Sequence, residues 1–376
     1  MRRFLLVFTV FLSAFPASSL FAWNDLGHMT VARIAYDRLS DDERTAIVGM
    51  LRHHPHLREL LLKDKPGNAS DVEWIFLRAA TWPDHVRPPR VATREPVSVH
   101  PIYKFHHANW HYVNFEYRAG QQESGLPARP LPHSPQGAHP ADYTNIIEQL
   151  DHSYLIVREA ERERSQPEMN LNPAEDRAVR LCWLFHLMGD IHQPLHVVTL
   201  VDERIPSLQH GDEGGNKLAV RLNHATAPRK LHSVWDDALG THPQFNKVVQ
   251  WSEVLSRDPK LAPNRLPEYQ NHRLAWEFAE ESYQAAKEVV YQNGRLHYAL
   301  WSRVESHDLD EADVPVLSQQ AVDQLHRVAE RRILLAGYRL ADRLKFIVSR
   351  SSNQNRAPID ISSPVRGNSP TLRTVR

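Results

Sequence analysis

The stretch Leu181-Cys182-Trp183-Leu184-Phe185-His186-Leu187-Met188-Gly189-Asp190-Ile191-His192-Gln193-Pro194-Leu195-His196 decides how this chain is read. It continues a helical period that begins at Pro173 and runs to about Gly189, and from Leu181 to Gly189 every position but His186 is apolar, so this part of the helix must be buried. His186 and Asp190 interrupt that apolar run four residues apart and therefore project from one face. A polar pair on a buried helix costs several kcal/mol unless it is partnered, and a divalent metal is an efficient partner. Pro194 ends or kinks the helix and turns His196 back toward the same place. The same His-x-x-x-Asp spacing returns in Leu231-His232-Ser233-Val234-Trp235-Asp236. Two such pairs and an extra histidine supply mixed nitrogen and oxygen ligands suited to zinc. Read singly, each pair is equally a satisfied buried or surface pair; the repeated spacing beside aromatics and helix breakers favours metal.

Outward from this core the chain reads as α-rich. Val31, Ile34, Ala35 and Leu39 keep a helical period within Asn24 to about Leu51, and Ser40-Asp41-Asp42-Glu43 is a capping-type start for a second helix at Arg44–Leu51. A further helix is predicted over residues 70–80, then a proline-rich stretch from Pro83 to Pro101 and a Pro, Gly, Ser and Gln-rich surface loop over 118–140. Helical periodicity returns at 142–165, 270–295 and 315–348, the last two as long amphipathic helices. Gly211-Asp212-Glu213-Gly214-Gly215-Asn216 before Lys217–Leu222 predicts a turn leading into a strand or hairpin arm. The expected fold is all-α, one domain over 23–350 with a short β-hairpin, and a polar tail at 351–376 that packs no core.

Residues 1–22 read as a secretory signal, with Arg2-Arg3, an apolar run from Phe4 to Phe15, Pro16, and Ala22 at the cut. Its loss leaves 43 basic against 45 acidic residues in a secreted or periplasmic chain with no membrane anchor. Near-neutrality argues against coating duplex nucleic acid and makes phosphate attraction local, which bound cations would provide. Cys182 is the only cysteine, so packing and metal rather than disulfides must stabilise the fold. Of the 23 histidines, His53, His54, His56, His106, His107, His133 and His139 read as surface residues, and His192 as a structural group near the ligands.

Taken together and in order, these islands resemble the trinuclear-zinc single-strand nucleases and 3′-nucleotidases of fungi, plants and bacteria, related in fold to zinc phospholipase C. The resemblance is carried by Trp23-Asn24-Asp25-Leu26-Gly27-His28 after the predicted cut, Trp82-Pro83-Asp84-His85-Val86-Arg87, Trp110-His111-Tyr112-Val113-Asn114, the two His-x-x-x-Asp elements, Gln193-Pro194-Leu195-His196 and Gly214-Gly215-Asn216. It spans about Trp23 to Asp237. It implies three Zn2+ per chain: one on Asp84, His111, His186 and a shared Asp190; one on His196, His232 and Asp236; one on the α-amine and carbonyl of Trp23, with His28 and Asp190. Signal cleavage would then be part of building the site, because an α-amine ligates only as a true N-terminus.

The implied reaction is metal-assisted hydrolysis of single-stranded DNA and RNA to 5′-phosphorylated products, using a water whose pKa falls from roughly 16 toward about 7. Asp84 would orient that water and Arg87 would neutralise charge on the phosphoryl oxygens, unless Arg87 is simply a solvated loop residue. Tyr112 falls where the family stacks an unpaired base, although packing is its alternative role. The fungal enzymes carry an acidic base-edge residue where this chain has Asn114, and Asn216 either faces the site or only closes its turn. No protein partner is indicated. A zinc phospholipase C is the nearest rival, but its last carboxylate is glutamate and this chain has Asp236. A secreted zinc binder without turnover would require neither Asp84 nor Arg87.

Overall fold

The computed structural model describes residues 23–88, 100–118, 145–158 and 171–354. The signal segment, most of the predicted 118–140 loop with His133 and His139, and the tail beyond Gln354 lie outside the described residues.

Twelve α-helices among the described residues enclose one hydrophobic core. The first four are α1 (Asp25–Asp37), α2 (Asp41–Leu51), α3 (Asp71–Ala79) and α4 (Trp82–His85). Next come α5 (Ile146–Arg158), α6 (Pro173–Asp190), α7 (Leu231–Asp236) and α8 (Phe245–Arg257). The last are α9 (Pro267–Asn271), α10 (Ala275–Ala285), α11 (Trp301–Glu305) and α12 (Gln319–Gln354). The mainly helical fold expected from the sequence is therefore present. No described helix is long and apolar enough to cross a membrane.

The central element is α6. Asn172 caps it with Pro173 at its first position, and the Asn172–Glu175 capping box satisfies the amides that the helix start leaves without partners. From Ala178 to Asp190 every residue is buried, against α1, α2, α3, α5 and α12. Each large apolar side chain so buried contributes about 1.5–3 kcal/mol, enough in aggregate to offset carrying His186 and Asp190 into the interior. The Ser40–Glu43 capping box starts α2 as its sequence suggests.

Two small sheets accompany the helices. Strands β1 (Phe115–Arg118) and β2 (Val198–Val201) pair in parallel, Phe115 opposite Val198. Strand β3 (Leu218–Val220) lies between β4 (Arg229–Lys230) and β5 (Ala299–Leu300), antiparallel to both. The β3–β4 pair is the expected hairpin.

Several expectations are corrected. Pro83, which opens the proline-rich stretch, lies in the first turn of α4, where its missing N–H costs nothing, and residues 89–99 of that stretch lie outside the described residues. The helix predicted over 270–295 is interrupted before α10 and ends in a π turn at Ala286–Val290, followed by left-handed Gln292 and Asn293. The last helix continues past Arg350 to Gln354. His54 is not a surface residue: it is buried with its ring edge-on to Trp82, and its Nδ1 accepts the His56 amide at 3.0 Å. The amphipathic α8 and the parallel β1–β2 pair have no counterpart in the sequence reading.

Candidate metal centre

The end of α6 supplies His186 and Asp190 one turn apart, both wholly buried. The α1 helix lays His28 beside them. Its ring stacks on His186 with centroids 4.1 Å apart, and its Nε2 lies 3.1 Å from Asp190 Oδ1. Gly189 makes this approach feasible, since a Cβ there would fall 2.7 Å from His28 Nδ1. The short α4 brings Asp84, whose Oδ1 stands 3.9 Å from His186 Nε2.

The parallel ladder places the next two histidines. Val113 N donates to His196 O at 2.9 Å and Phe115 N to Val197 O at 3.2 Å, so the chains leaving His111 and His196 run side by side. His111 Nδ1 then lies 3.0 Å from both Asp190 Oδ2 and His186 Nε2. The hairpin arm β4 leads directly into α7, which carries His232 and Asp236, with His232 Nε2 at 3.6 Å from Asp236 Oδ2. The rings of His196 and His232 stand 5.0 Å apart.

Backbone carbonyls fix the imidazole tautomers. His186 Nδ1 donates to Ala80 O at 2.8 Å, His196 Nδ1 to His111 O at 2.6 Å, and His232 Nδ1 to Gly214 O at 2.7 Å. Gly214 is at φ +59°, and a Cβ there would sit 2.3 Å from Leu195 O, so the turn can present that carbonyl only as glycine. With each Nδ1–H spent, the Nε2 lone pair of these three rings points inward. Among buried atoms without a hydrogen-bond partner are His28 Nε2, Asp84 Oδ2, His111 Nε2, Asp190 Oδ1 and His196 Nε2. Lone pairs of imidazole and carboxylate meeting in a dry interior repel unless a proton or a cation lies between them. That donor set of histidine nitrogen and aspartate oxygen fits zinc.

The electrostatics report the same tension. Burial pulls His186 down, but Asp190 and Asp84 outweigh it and raise it to about 9. Burial lowers His111 to about 4 despite its hydrogen bond to Asp190. Asp190 is held well below the usual carboxylate range: burial opposes ionisation, but the His186 charge and the close His111 and His28 imidazoles prevail. Burial also lowers His196. Asp236 is raised by burial, with Gln193 opposing and three neighbouring aspartates adding. Without a cation, a proton held on His186 takes the place of one.

Among the described residues three groups of side chains could hold a metal ion: His28, Asp84 and His186; His111, His186 and Asp190; and His196, His232 and Asp236. All eight side chains expected as ligands fall in one or another of these groups. The first group joins His28 to Asp84 and His186, a grouping that the sequence reading divided between two metals. Trp23 and the residue after it are tied to the ends of α6 and α7. Trp23 is wholly buried, its indole Nε1 donates to Gly189 O at 3.1 Å, and the following Asn24 N donates to Asp236 O at 3.2 Å.

Arg87 reaches Asp84 Oδ1 at 3.2 Å and keeps about a quarter of its side chain exposed. Tyr112 is 38% exposed with its hydroxyl 3.3 Å from Asn109 Oδ1, so it is not core packing. Burial alternates from His111 to Phe115, which puts Tyr112 and Asn114 together on the solvent face. Asn216 closes its own turn through Nδ2 to Glu213 O at 2.8 Å, leaving its buried Oδ1 without a partner. Gln193 received no role from the sequence. It is wholly buried and donates from Nε2 to Asp236 Oδ1 at 2.8 Å. Its signal was the Gln-Pro-Leu-His element, a long polar side chain beside a helix-ending proline.

The S1/P1 nuclease family model matches residues 23–349. Among characterised proteins, the chain is similar to Endonuclease 3 of Arabidopsis thaliana, 25% identical over 350 residues, 89% of this chain and 92% of the relative. Endonuclease 4 of the same plant is 26% identical over 224 residues, covering 58% of this chain and 55% of the relative. Endonuclease 2 is 25% identical over 240 residues, 62% and 60% of the two.

Proposed function

Since the chain belongs to the S1/P1 nuclease family and hydrolyses phosphodiester bonds, we propose that it is a zinc-dependent endonuclease of single-stranded DNA and RNA that leaves 5′-phosphates and also removes phosphate from 3′-nucleotides. The observation that carries this reading is the convergence of inward-facing imidazole nitrogens on the Asp190 and Asp236 carboxylates in a buried site. The ligand sets are Asp84, His111, His186 and Asp190; His196, His232 and Asp236; and the α-amine and carbonyl of Trp23 with His28 and Asp190. The third set requires a chain cut before Trp23, which goes with a secreted or periplasmic enzyme. Bound zinc supplies Lewis acidity and a water of lowered pKa.

The chain's own groups do the rest. The Asp84 Oδ2 oxygen has no protein partner and is available to orient the attacking water. Arg87, anchored on Asp84 and partly exposed, meets the phosphoryl oxygens and neutralises their developing charge. Tyr112, exposed one residue from His111, stacks on a base, contributing about 1–3 kcal/mol whatever the base. Stacking of that kind needs an unpaired base, hence the single-strand preference. Asn114, on the same face, offers both donor and acceptor to base edges where a carboxylate would only accept.

The test is cleavage of a labelled single strand beside its duplex, before chelation, after chelation and after zinc return. Rapid cleavage of the single strand, loss on chelation, recovery with zinc and 5′-phosphate ends are expected. Equal cleavage of the duplex would remove the stacking argument. Hydrolysis of phosphatidylcholine without nucleic-acid cleavage would replace the nuclease reading with a phospholipase one.

A further inference from the structure

Between Asp190 and His196 the chain turns a corner through Ile191-His192-Gln193-Pro194-Leu195. Three bonds tie Gln193 to both sides of the site. Its amide N donates to Asp190 O at 2.9 Å, its side-chain Oε1 accepts from Leu195 N at 2.6 Å, and its Nε2 donates to Asp236 Oδ1 at 2.8 Å. The backbone amide of Leu195 requires the oxygen of the side-chain amide, so the NH2 end must face Asp236 and the side chain cannot be flipped. With Oδ1 taken, Asp236 presents Oδ2 toward His232 Nε2, 3.6 Å away.

The corner itself is immobilised from the C-terminal half of the chain. Ser282 Oγ donates to Ile191 O at 2.5 Å and Arg332 Nε to His192 O at 3.2 Å. His192 is held from both ring nitrogens, by Met188 O at 2.8 Å and Arg339 Nη1 at 2.7 Å. A buried side chain on such a fixed corner has one direction in which to point.

We infer that Gln193 is a positioning residue for the group His196, His232 and Asp236: its NH2 fixes which oxygen of Asp236 faces the cation. The inference rests on the reading of that group as a metal site. Outer partners of this kind change metal affinity by about 10–100-fold in other metal sites.

Two variants of the secreted full-length chain separate the bonds. Gln193→Met keeps the length and loses both side-chain bonds, whereas Gln193→Glu keeps an acceptor for Leu195 N but replaces the donor to Asp236 with a second carboxylate oxygen. Each is dialysed against a chelator series, zinc per chain is counted, and Tm is recorded in excess chelator. Both variants should release one zinc at about 10–100-fold less chelator than wild type, with Tm in excess chelator unchanged. Wild-type chelator resistance in both would overturn the inference. So would loss in the Met variant alone, which would assign the effect to the Leu195 turn, or a zinc-free Tm that falls in step with zinc loss. A wild-type chain that takes up no zinc would end the metal reading itself, and this inference with it.

Discussion

Two buried charge clusters share the interior, and they are built on opposite logic. Around Glu281 donors meet acceptors: Arg339 Nη2 reaches its Oε1 at 2.6 Å and Nη1 its Oε2 at 2.9 Å, and Arg332 Nη1 closes on the same carboxylate. Arg332 Nη2 goes to Phe278 O and Ser282 Oγ, and Arg339 Nη2 also to Glu268 O. Around Asp190 three imidazoles crowd one carboxylate, Asp84 stands 3.9 Å from His186, and several of their atoms have no hydrogen-bond partner. Both clusters contain buried histidine and carboxylate, so burial and charge do not separate them. What separates them is whether the protein completes its own hydrogen bonds. In the Glu281 cluster both carboxylate oxygens meet protein donors, with Arg339 Nε left over, whereas in the Asp190 cluster imidazole and carboxylate atoms are left facing one another, a set that a cation would complete.

The contrast breaks most sharply under substitution. Asp190→Asn should cut kcat/KM by about 10³-fold or more, since several kcal/mol of metal-derived stabilisation is lost at 1.36 kcal/mol per factor of ten. Zinc content should fall with it. Near-normal turnover with full zinc would show that the two clusters do not differ in kind. Glu281→Gln should do the reverse, costing about 3–5 kcal/mol of stability in chelator by leaving two buried guanidinium groups uncompensated. Denaturant unfolding reads that loss, and an unchanged midpoint would contradict it.

Legibility in the sequence follows the same division. His186 and Asp190, and His232 and Asp236, could be read because each pair lies four residues apart on one helix. The Ser40 cap and the turn at Gly211–Asn216 are equally local. The Glu281 network could not be read, because its partners Arg332 and Arg339 are 51 and 58 residues away. The β1–β2 pair joins residues on either side of α5 and α6, and strands of four residues carry too little pattern to announce a parallel partner. His54 looked exposed because His53, Pro55 and His56 surround it; only the tertiary position of Trp82 buries it. Burial of the ligand side chains followed from α6, but which histidine nitrogen faces inward depends on carbonyls at Ala80, His111 and Gly214, which no local pattern specifies.

A gentler test is pH in the presence of chelator. His186 is raised to about 9, above the free value of 6.5, so the stability of its ion pair is complete below about pH 6.5 and lost as pH rises through 9. His111 is lowered to about 4, so its contribution is complete above about 6.5 and lost as pH falls toward 4. The zinc-free Tm should therefore peak near pH 6.5, and zinc should flatten the alkaline limb. A zinc-free profile still rising at pH 9 would contradict this balance.

Smaller effects sharpen the division within the site. Arg87→Ala should lower kcat by about 10²-fold without changing zinc content, read by steady-state kinetics beside metal analysis. Tyr112→Ala should raise KM for a short single strand by about tenfold and leave zinc content alone.

The most direct measurement is the number of zinc ions on the purified mature chain, counted by native mass spectrometry with and without chelator. The proposed ligand sets predict three per chain, removable and restorable, and two in a chain that retains residues ahead of Trp23. A folded protein carrying none in the presence of zinc would contradict them, however the side chains are arranged.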